Sequence, residues 1–425
     1  MNEQTIRKNN MKLFPIYKMF SWDLLFYYAI SFLFLTQAKN FSASEIMFAD
    51  SFYPLFGIIF QFLCVDITDR FGKQKSLLLG NICVSVSILM LILGNSISAI
   101  ILSNLLQAIG FGFKGLCEPT LLSDSIPDSK YSSNIFSRLE GKGSTLYYIL
   151  DAISSAVTGF MFVINAYIPM IMCFIFCIIS TVISLSFEEI SSNKSLKEKN
   201  ENSNMTSHFK DILITFKQIL KSDRLKCLLI YGAMFYSILG IFGTLRSSIL
   251  VDIGVKEQYF GPIVAAMQII SAISSRKQNW FHTTFKNRLL TWLALSLTIS
   301  FILTGLIVVC DINFTVSLTI ILIMLFIVGI IKGPYYTLIK RYFNSFSNPT
   351  VNTKIYSIHS ILNALMRTIL SFFTSFLLGI TTTSYTFVIL GCILFIFFIF
   401  LLDYMKTRIG LKPEEYPEED LIFTK

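Results

Sequence analysis

Eight ionisable side chains lie inside long apolar stretches: Asp23, Asp50, Lys114, Glu118, Asp151, Lys332, His359 and Arg367. A charged group at the centre of a bilayer-crossing helix costs about 2.5–3.5 kcal/mol on insertion scales, so such residues usually face a cavity or a partner. At a rise of ~1.5 Å per residue, Lys114 sits ~13 Å and Asp151 ~12 Å above the same face, on consecutive stretches that run in opposite directions. A Lys114–Asp151 pair is therefore expected. Glu118, one turn below Lys114 on the same face, is a second partner. Lys332 and Asn363 take the matching places later in the chain, where the acid is missing. On a functional reading, Lys114 and Lys332 attract an anionic or zwitterionic group, and Asp23, Glu118 or Asp151 carries a proton. On a structural reading, these charges snorkel or form fixed pairs. Arg367 lies nearer the bilayer centre. His359 titrates near neutrality when unperturbed, and a lone histidine also fits a packing role.

Other chemistries find no support. The eight cysteines fall in or at the ends of apolar stretches with no CxxC; all read as small buried hydrophobes, and no zinc-type constellation surrounds them. GFGFKG (110–115) fits a dinucleotide fingerprint by letter but lies in an apolar helix with no preceding strand. Its glycines instead suit close helix packing. GKGST (141–145) lacks the upstream glycine of a phosphate-binding loop. With no nucleophile–base arrangement either, the chain reads as neither an enzyme nor a holder of a cofactor or metal.

The elements that must position these charges are membrane helices. Of 425 residues, 54% are apolar and only 14% charged, too few charges to cover the surface of a soluble chain this long. Twelve stretches reach the length needed to cross a bilayer: 19–36, 44–64, 76–94, 98–122, 143–164, 168–187, 225–245, 257–275, 289–309, 315–338, 353–378 and 383–404. The eighth, diluted by Gln268 and serines, is the weakest. Residues 188–224 form a polar linker between two six-helix halves, and the part after His208 has the spacing of a surface helix. Of the 35 Lys and Arg, 29 fall on one side, 3 on the other and 3 inside helices. That asymmetry places both termini in the cytoplasm. It also explains the net charge of +9 without nucleic acid. A weak repeat links ILDAI (149–153) with ILNAL (361–365), and Lys114-Gly115 with Lys332-Gly333. Aromatic groups recur beside the charges, among them Tyr27, Tyr28, Tyr147, Tyr148, Tyr236 and Tyr336.

The loop after the second stretch reads VDITDRFGKQKSLLLG (65–80). It resembles the signature of the major facilitator superfamily, G-x-x-x-D-R-x-G-R-K-x. Asp69, Arg70, Gly72 and Lys73 match, Lys75 adds a charge, and Val65 replaces the first glycine. With twelve helices and a central linker, the resemblance spans residues 15–405. It implies alternating access, with helices 1, 4, 7 and 10 lining a central cavity. In that scheme Asp69 and Arg70 gate by pairing with helix ends or with Arg138 and Glu140 of the next cytoplasmic loop. SNLLQAIGFG (103–112) resembles a helix-4 element of proton-coupled members; Gln107 and Gly110 match, while Asn104 replaces its arginine and Ala108 its first glycine. Helix 5 has TGF (158–160) in place of the drug–proton antiporter pattern.

The expected fold is all-α, with twelve transmembrane helices in two pseudo-symmetric six-helix bundles. Residues 1–187 form the first bundle, 188–224 the linker, 225–404 the second bundle and 405–425 a cytoplasmic tail with a solvated acidic stretch at 413–420. The resemblance implies a secondary active transporter of the cell membrane, a monomer that exports small amphipathic compounds against protons or another coupling ion. Uptake of a small anionic or zwitterionic nutrient is the alternative, and a non-transporting receptor on the same scaffold is the third reading.

Overall fold

The computed structural model describes residues 3–127, 132–190, 216, 222–285, 288–346 and 349–406. Most of the linker, the surface helix expected after His208 and the acidic stretch of the tail lie outside these residues. The described chain is helical, with no strand among the described residues. Ten of its helices are long and apolar enough to cross a membrane. The two expected spans that fall short are the first and the eighth.

By internal contacts the chain divides into two compact units, Met1–Met205 with Glu257–Ala265, and Thr206–Lys256 with Ala266–Lys425. In the first unit, helix α1 runs Glu3–Ser21, and a short α2, Ser31–Leu33, passes into a π turn, Phe34–Ala38. Then come α3 (Ala43–Asp50), α4 (Phe52–Phe71), α5 (Lys73–Leu93), α6 (Ile97–Ser125), α7 (Ser132–Ile164) and α8 (Ile168–Leu185). Helix α8 shows the packing logic of the spans. Met170, Cys173, Cys177, Ser180 and Ser184 are buried, while Ile171, Ile175, Ile178, Val182 and Leu185 are exposed. Both sets recur every three or four residues, so small residues meet neighbouring helices and branched aliphatics face lipid. The GFGFKG glycines follow this logic in part. A Cβ on Gly110 would stand 2.7 Å from the Gly80 carbonyl oxygen, so α5 and α6 approach backbone to backbone there, whereas Gly115 has open space around it.

The first predicted helix is interrupted. Residues 22–30 form turns, with Phe26 at φ 63°. No glycine or proline causes the break. Asp23 instead folds its carboxylate onto the next backbone N–H, that of Leu24, at 2.8 Å, the local competition by which aspartate disfavours helix. Irregular backbone at membrane depth is tolerated only where protein buries it or a cavity adjoins it.

The second unit contains α9 (Asp223–Asp252), most of α10 (Phe260–Arg276), α11 (Gln278–Phe285), α12 (Leu289–Val309), α13 (Phe314–Phe346), α14 (Pro349–Ile380) and α15 (Thr383–Lys406). Helix α10, at 17 residues, is the short eighth span. Helix α9 is the most enclosed span, and aromatic rings hold it. Phe235 stacks on Tyr335 at 4.4 Å, and the Tyr335 hydroxyl donates to the Gly232 carbonyl at 2.6 Å. Cys310 and Cys392 are exposed. They correct the reading of all eight cysteines as buried: Cys310 caps the end of α12, Cys392 lies on an exposed face of α15, and Cys83 is half-buried, which leaves five buried.

Candidate functional site

The broken first helix meets a buried polar cluster at its end. A helix leaves its last four carbonyls without intrahelical donors. At the end of α1, the Lys114 ammonium donates to the Ser21 carbonyl oxygen, as basic side chains do at helix C-termini. The same ammonium lies 4.6 Å from the Phe111 ring centroid. Glu118, one turn further along α6, accepts from the Tyr17 hydroxyl at 3.1 Å and the Ser21 hydroxyl at 3.2 Å. Lys18 stands 3.3 Å from Glu118 and 2.7 Å from Glu140, with its ammonium 4.4 Å from the Trp22 ring. Asn81 of α5 donates to the Tyr17 hydroxyl at 2.9 Å, and Ser180 of α8 donates to Asn81 at 3.3 Å. Lys18, Lys114, Glu118, Tyr17 and Asn81 are all buried.

The cluster combines expected residues with unexpected ones. Glu118 meets the ion pair, and Lys114 takes the end of the broken helix as its hydrogen-bond acceptor. Lys18 reads as a cytoplasmic charge in the sequence, but α1 begins at Glu3 and carries it into the bundle. Glu140, expected beside the loop arginine, pairs with Lys18 instead, because α7 packs along α1. Asp151 lies on α7, within electrostatic reach of the Tyr147 and Tyr148 hydroxyls.

Asp23 marks the other side of the break. Its carboxylate accepts from the half-exposed Tyr28 hydroxyl at 2.7 Å. The neighbouring Trp22 ring lies 6.1 Å from Tyr147 and 5.9 Å from Tyr148. A partly exposed carboxylate thus sits among aromatic faces in unwound backbone. Asn104, where the resembled helix-4 element has arginine, donates to the Ala49 carbonyl at 2.9 Å, near the junction between α3 and α4.

The signature loop pairs within its own helix and with the end of a neighbouring one. Arg70 pairs with Asp66 at 3.0 Å on an exposed helix face. Lys73 pairs with Asp124, at the end of α6, at 2.5 Å. Glu189 accepts from the Gln74 backbone N–H at 3.1 Å, placing a carboxylate at the N-terminus of α5 where the helix dipole favours it. Gly72 permits this approach. Its φ is +91°, and a Cβ there would stand 2.6 Å from a Glu189 carboxylate oxygen. Asp69, Lys75 and Arg138 are exposed. The loop contacts run to the end of α6 and to residue 189.

In the second unit, Lys332 lies half-buried on α13, and Arg367 half-buried on α14. His359 packs on the Phe343 ring at 4.9 Å. Among the described residues no group of three or more His, Cys, Asp or Glu could hold a metal ion.

Comparison with known proteins is consistent with this architecture. The sequence profile of the Major Facilitator Superfamily matches residues 18–369. No curated protein matches the chain in sequence. Among solved structures, the nucleoside transporter NupG is similar at TM-score 0.70 and 12% identity, over 97% of this chain and 100% of that one. A POT family transporter in complex with 5-aminolevulinic acid is similar at TM-score 0.63 and 12% identity, over 96% of each chain. The peptide transporter POT in complex with sulfate is similar at TM-score 0.61 and 13% identity, over 96% of this chain and 100% of that one. At such identities the likeness is one of fold.

Proposed function

The chain belongs to the Major Facilitator Superfamily and is a multi-pass secondary transporter of small molecules, and from that premise we propose that it exports small amphipathic compounds in exchange for protons. The observation that carries this reading is the interruption of the first helix at residues 22–30, with Asp23 in the unwound segment. Discontinuous helices commonly build the binding sites of secondary transporters. Asp23 supplies the protonatable group, and Trp22, Tyr28 and Tyr148 offer amphipathic faces for an apolar body. The Lys18–Glu118–Lys114 cluster holds the end of α1 and so fixes where the break begins.

The protein on this reading is a monomer of the cell membrane, and the distribution of basic residues supports both termini in the cytoplasm. On this reading, expression lowers cellular accumulation of a transported compound, and dissipating the proton gradient restores accumulation. The converse, raised accumulation that the gradient drives, would replace export with the second reading, proton-coupled uptake of a small anionic or zwitterionic compound. The position of Arg367 favours that second reading.

Gating through the signature loop gives a further expectation. The Lys73–Asp124 pair is partly exposed, so Lys73→Glu is expected to cost no more than about 1 kcal/mol of stability. Its initial transport rate is expected to fall, and the double change Lys73→Glu with Asp124→Lys to recover most of it. Rates of the single and double variants, measured at matched protein levels, check this. Equal rates in wild type and Lys73→Glu would mean that the pair only marks topology.

A further inference from the structure

Helix α14 carries its polar residues on one line. His359, Asn363 and Arg367 recur at four-residue spacing, which keeps side chains on one face of a helix. Leu365, Ile369, Phe373, Phe376 and Ile380 are its exposed apolar residues. At ~100° per residue, Arg367 points ~160° away from both Leu365 and Ile369. Arg367 therefore points away from the lipid-facing side chains beside it. Arg367 is also near the middle of the span Ile355–Ile380, ~18 Å from either end.

Helix α9 is notched to receive this line. A Cβ on Gly232 would stand 2.6 Å from His359 Nε2, and one on Gly240 would overlap the Arg367 guanidinium. Between the two glycines, the Ser237 hydroxyl donates to the Asn363 carbonyl at 3.3 Å. Tyr236 of α9 and Tyr336 of α13 pair their rings at 6.2 Å beside the arginine, and Arg367 is within electrostatic reach of the Tyr336 hydroxyl. Lys332, one turn from Tyr336 on the same face of α13, adds a second positive charge.

The line has unused hydrogen-bonding capacity. His359 Nε2 and Asn363 Oδ1 are buried without a hydrogen-bond partner among the described residues. A guanidinium has five donors in a planar fork. Arg367 makes no hydrogen bond or ion pair with any described residue. On α9 the acids are Asp223 and Asp252, at its two ends, ~25 Å and ~18 Å along the helix from Gly240. A mid-span arginine set in a glycine notch with its donors unused matches a planar carboxylate, which takes the fork through two parallel hydrogen bonds.

We propose that this line is a binding site for the carboxylate of a small organic anion or zwitterion. Arg367 is its charge partner, the Asn363 amide a neighbouring polar group, and the Tyr236–Tyr336 pair the contact for an apolar body. The proposal names the substrate class within the transport reading and depends on that reading only for the steps after binding.

The test is equilibrium binding to the purified full-length protein in lipid nanodiscs, with no flux measured. The probes are benzoate, phenylacetate, indole-3-acetate and phenylalanine, each beside its neutral or methyl-ester counterpart. At least one acid is expected to bind and its uncharged counterpart not to. Arg367→Gln should weaken that binding roughly tenfold to hundredfold, the worth of a hydrogen bond to a charged group, and Arg367→Lys by less. Gly240→Ala should weaken it likewise by displacing the guanidinium, while Gly243→Ala, which has open space, should leave it unchanged. Should Arg367→Gln not fold, the paired glycine variants decide. Binding of no acid, equal binding of acids and counterparts, or indifference to both Arg367→Gln and Gly240→Ala overturns the proposal. An acid that binds through Arg367 but is never carried across a membrane leaves the site standing and removes the transport reading.

Discussion

Lys114→Met is expected to lower stability by about 1.5–3 kcal/mol, the worth of a hydrogen bond to a charged group, and to abolish transport. Methionine keeps most of the side-chain volume, so the effect isolates the ammonium. Two consequences add. The Ser21 carbonyl at the end of α1 loses its donor in an apolar interior, where an orphan acceptor pays the full desolvation cost. Glu118 loses a positive charge one turn away on α6 and keeps Lys18 at 3.3 Å. The end of α1 keeps its side-chain contacts to Glu118 and Glu140 but loses the one donor to its last carbonyl, and the position of the break loosens. Lys114→Arg is expected to restore part of both effects, because it keeps a charged donor. The midpoint of thermal unfolding in one detergent, read beside transport in vesicles, checks this. An unchanged midpoint would mean that the Lys114 contact does not hold the break.

Asp23→Asn is expected to separate binding from coupling. Asparagine keeps the shape and can still accept the Tyr28 hydroxyl seen at 2.7 Å, but it cannot take up and release a proton. Exchange of labelled for unlabelled substrate across a membrane needs no net proton movement, so it should persist. Accumulation against a gradient should be lost. Loss of both would make Asp23 a binding group and move the proton to Glu118 or Asp151. Retention of both would remove Asp23 from the pathway.

Apolar length alone reveals most of the helical architecture, because spans such as α8 and α12 are continuous runs of branched aliphatics and small residues. The break in the first helix is hidden for a physical reason. Residues 22–30 contain neither glycine nor proline, and their aromatic and aliphatic side chains extend an apolar run. The only signal is Asp23, a residue that competes with helix through its own side chain. Lys18 is misplaced for a related reason: apolar content places the start of a span, whereas α1 starts at Glu3 and carries polar residues into the bundle.

The charged residues of the site are legible as types but not as partners. Depth along a helix can be read from residue count; rotation about the axis and the path of a neighbouring break cannot. Lys114 and Asp151 share a level, yet the ammonium reaches the carbonyl of Ser21, an acceptor that exists only because the helix ends there. The signature loop eludes a linear reading in the same way. Arg138 and Glu140 are the partners the resemblance implies, but α7 turns Glu140 toward Lys18 at 2.7 Å, and Asp124 and Glu189 reach the loop instead. The glycines of α9 are silent in sequence. Their meaning emerges only once His359 and Arg367 lie against them.

Coupling of substrate movement to proton movement is central to the proposed function. The most direct measurement uses the wild-type protein in proteoliposomes with an imposed pH gradient, monitored by an entrapped pH-sensitive dye, and a panel of amphipathic aromatic compounds added one at a time. A transported compound is expected to collapse the gradient at a rate proportional to protein content, and Asp23→Asn to stop the collapse. Measurable flux of a compound while the gradient decays no faster than in protein-free vesicles would contradict proton coupling.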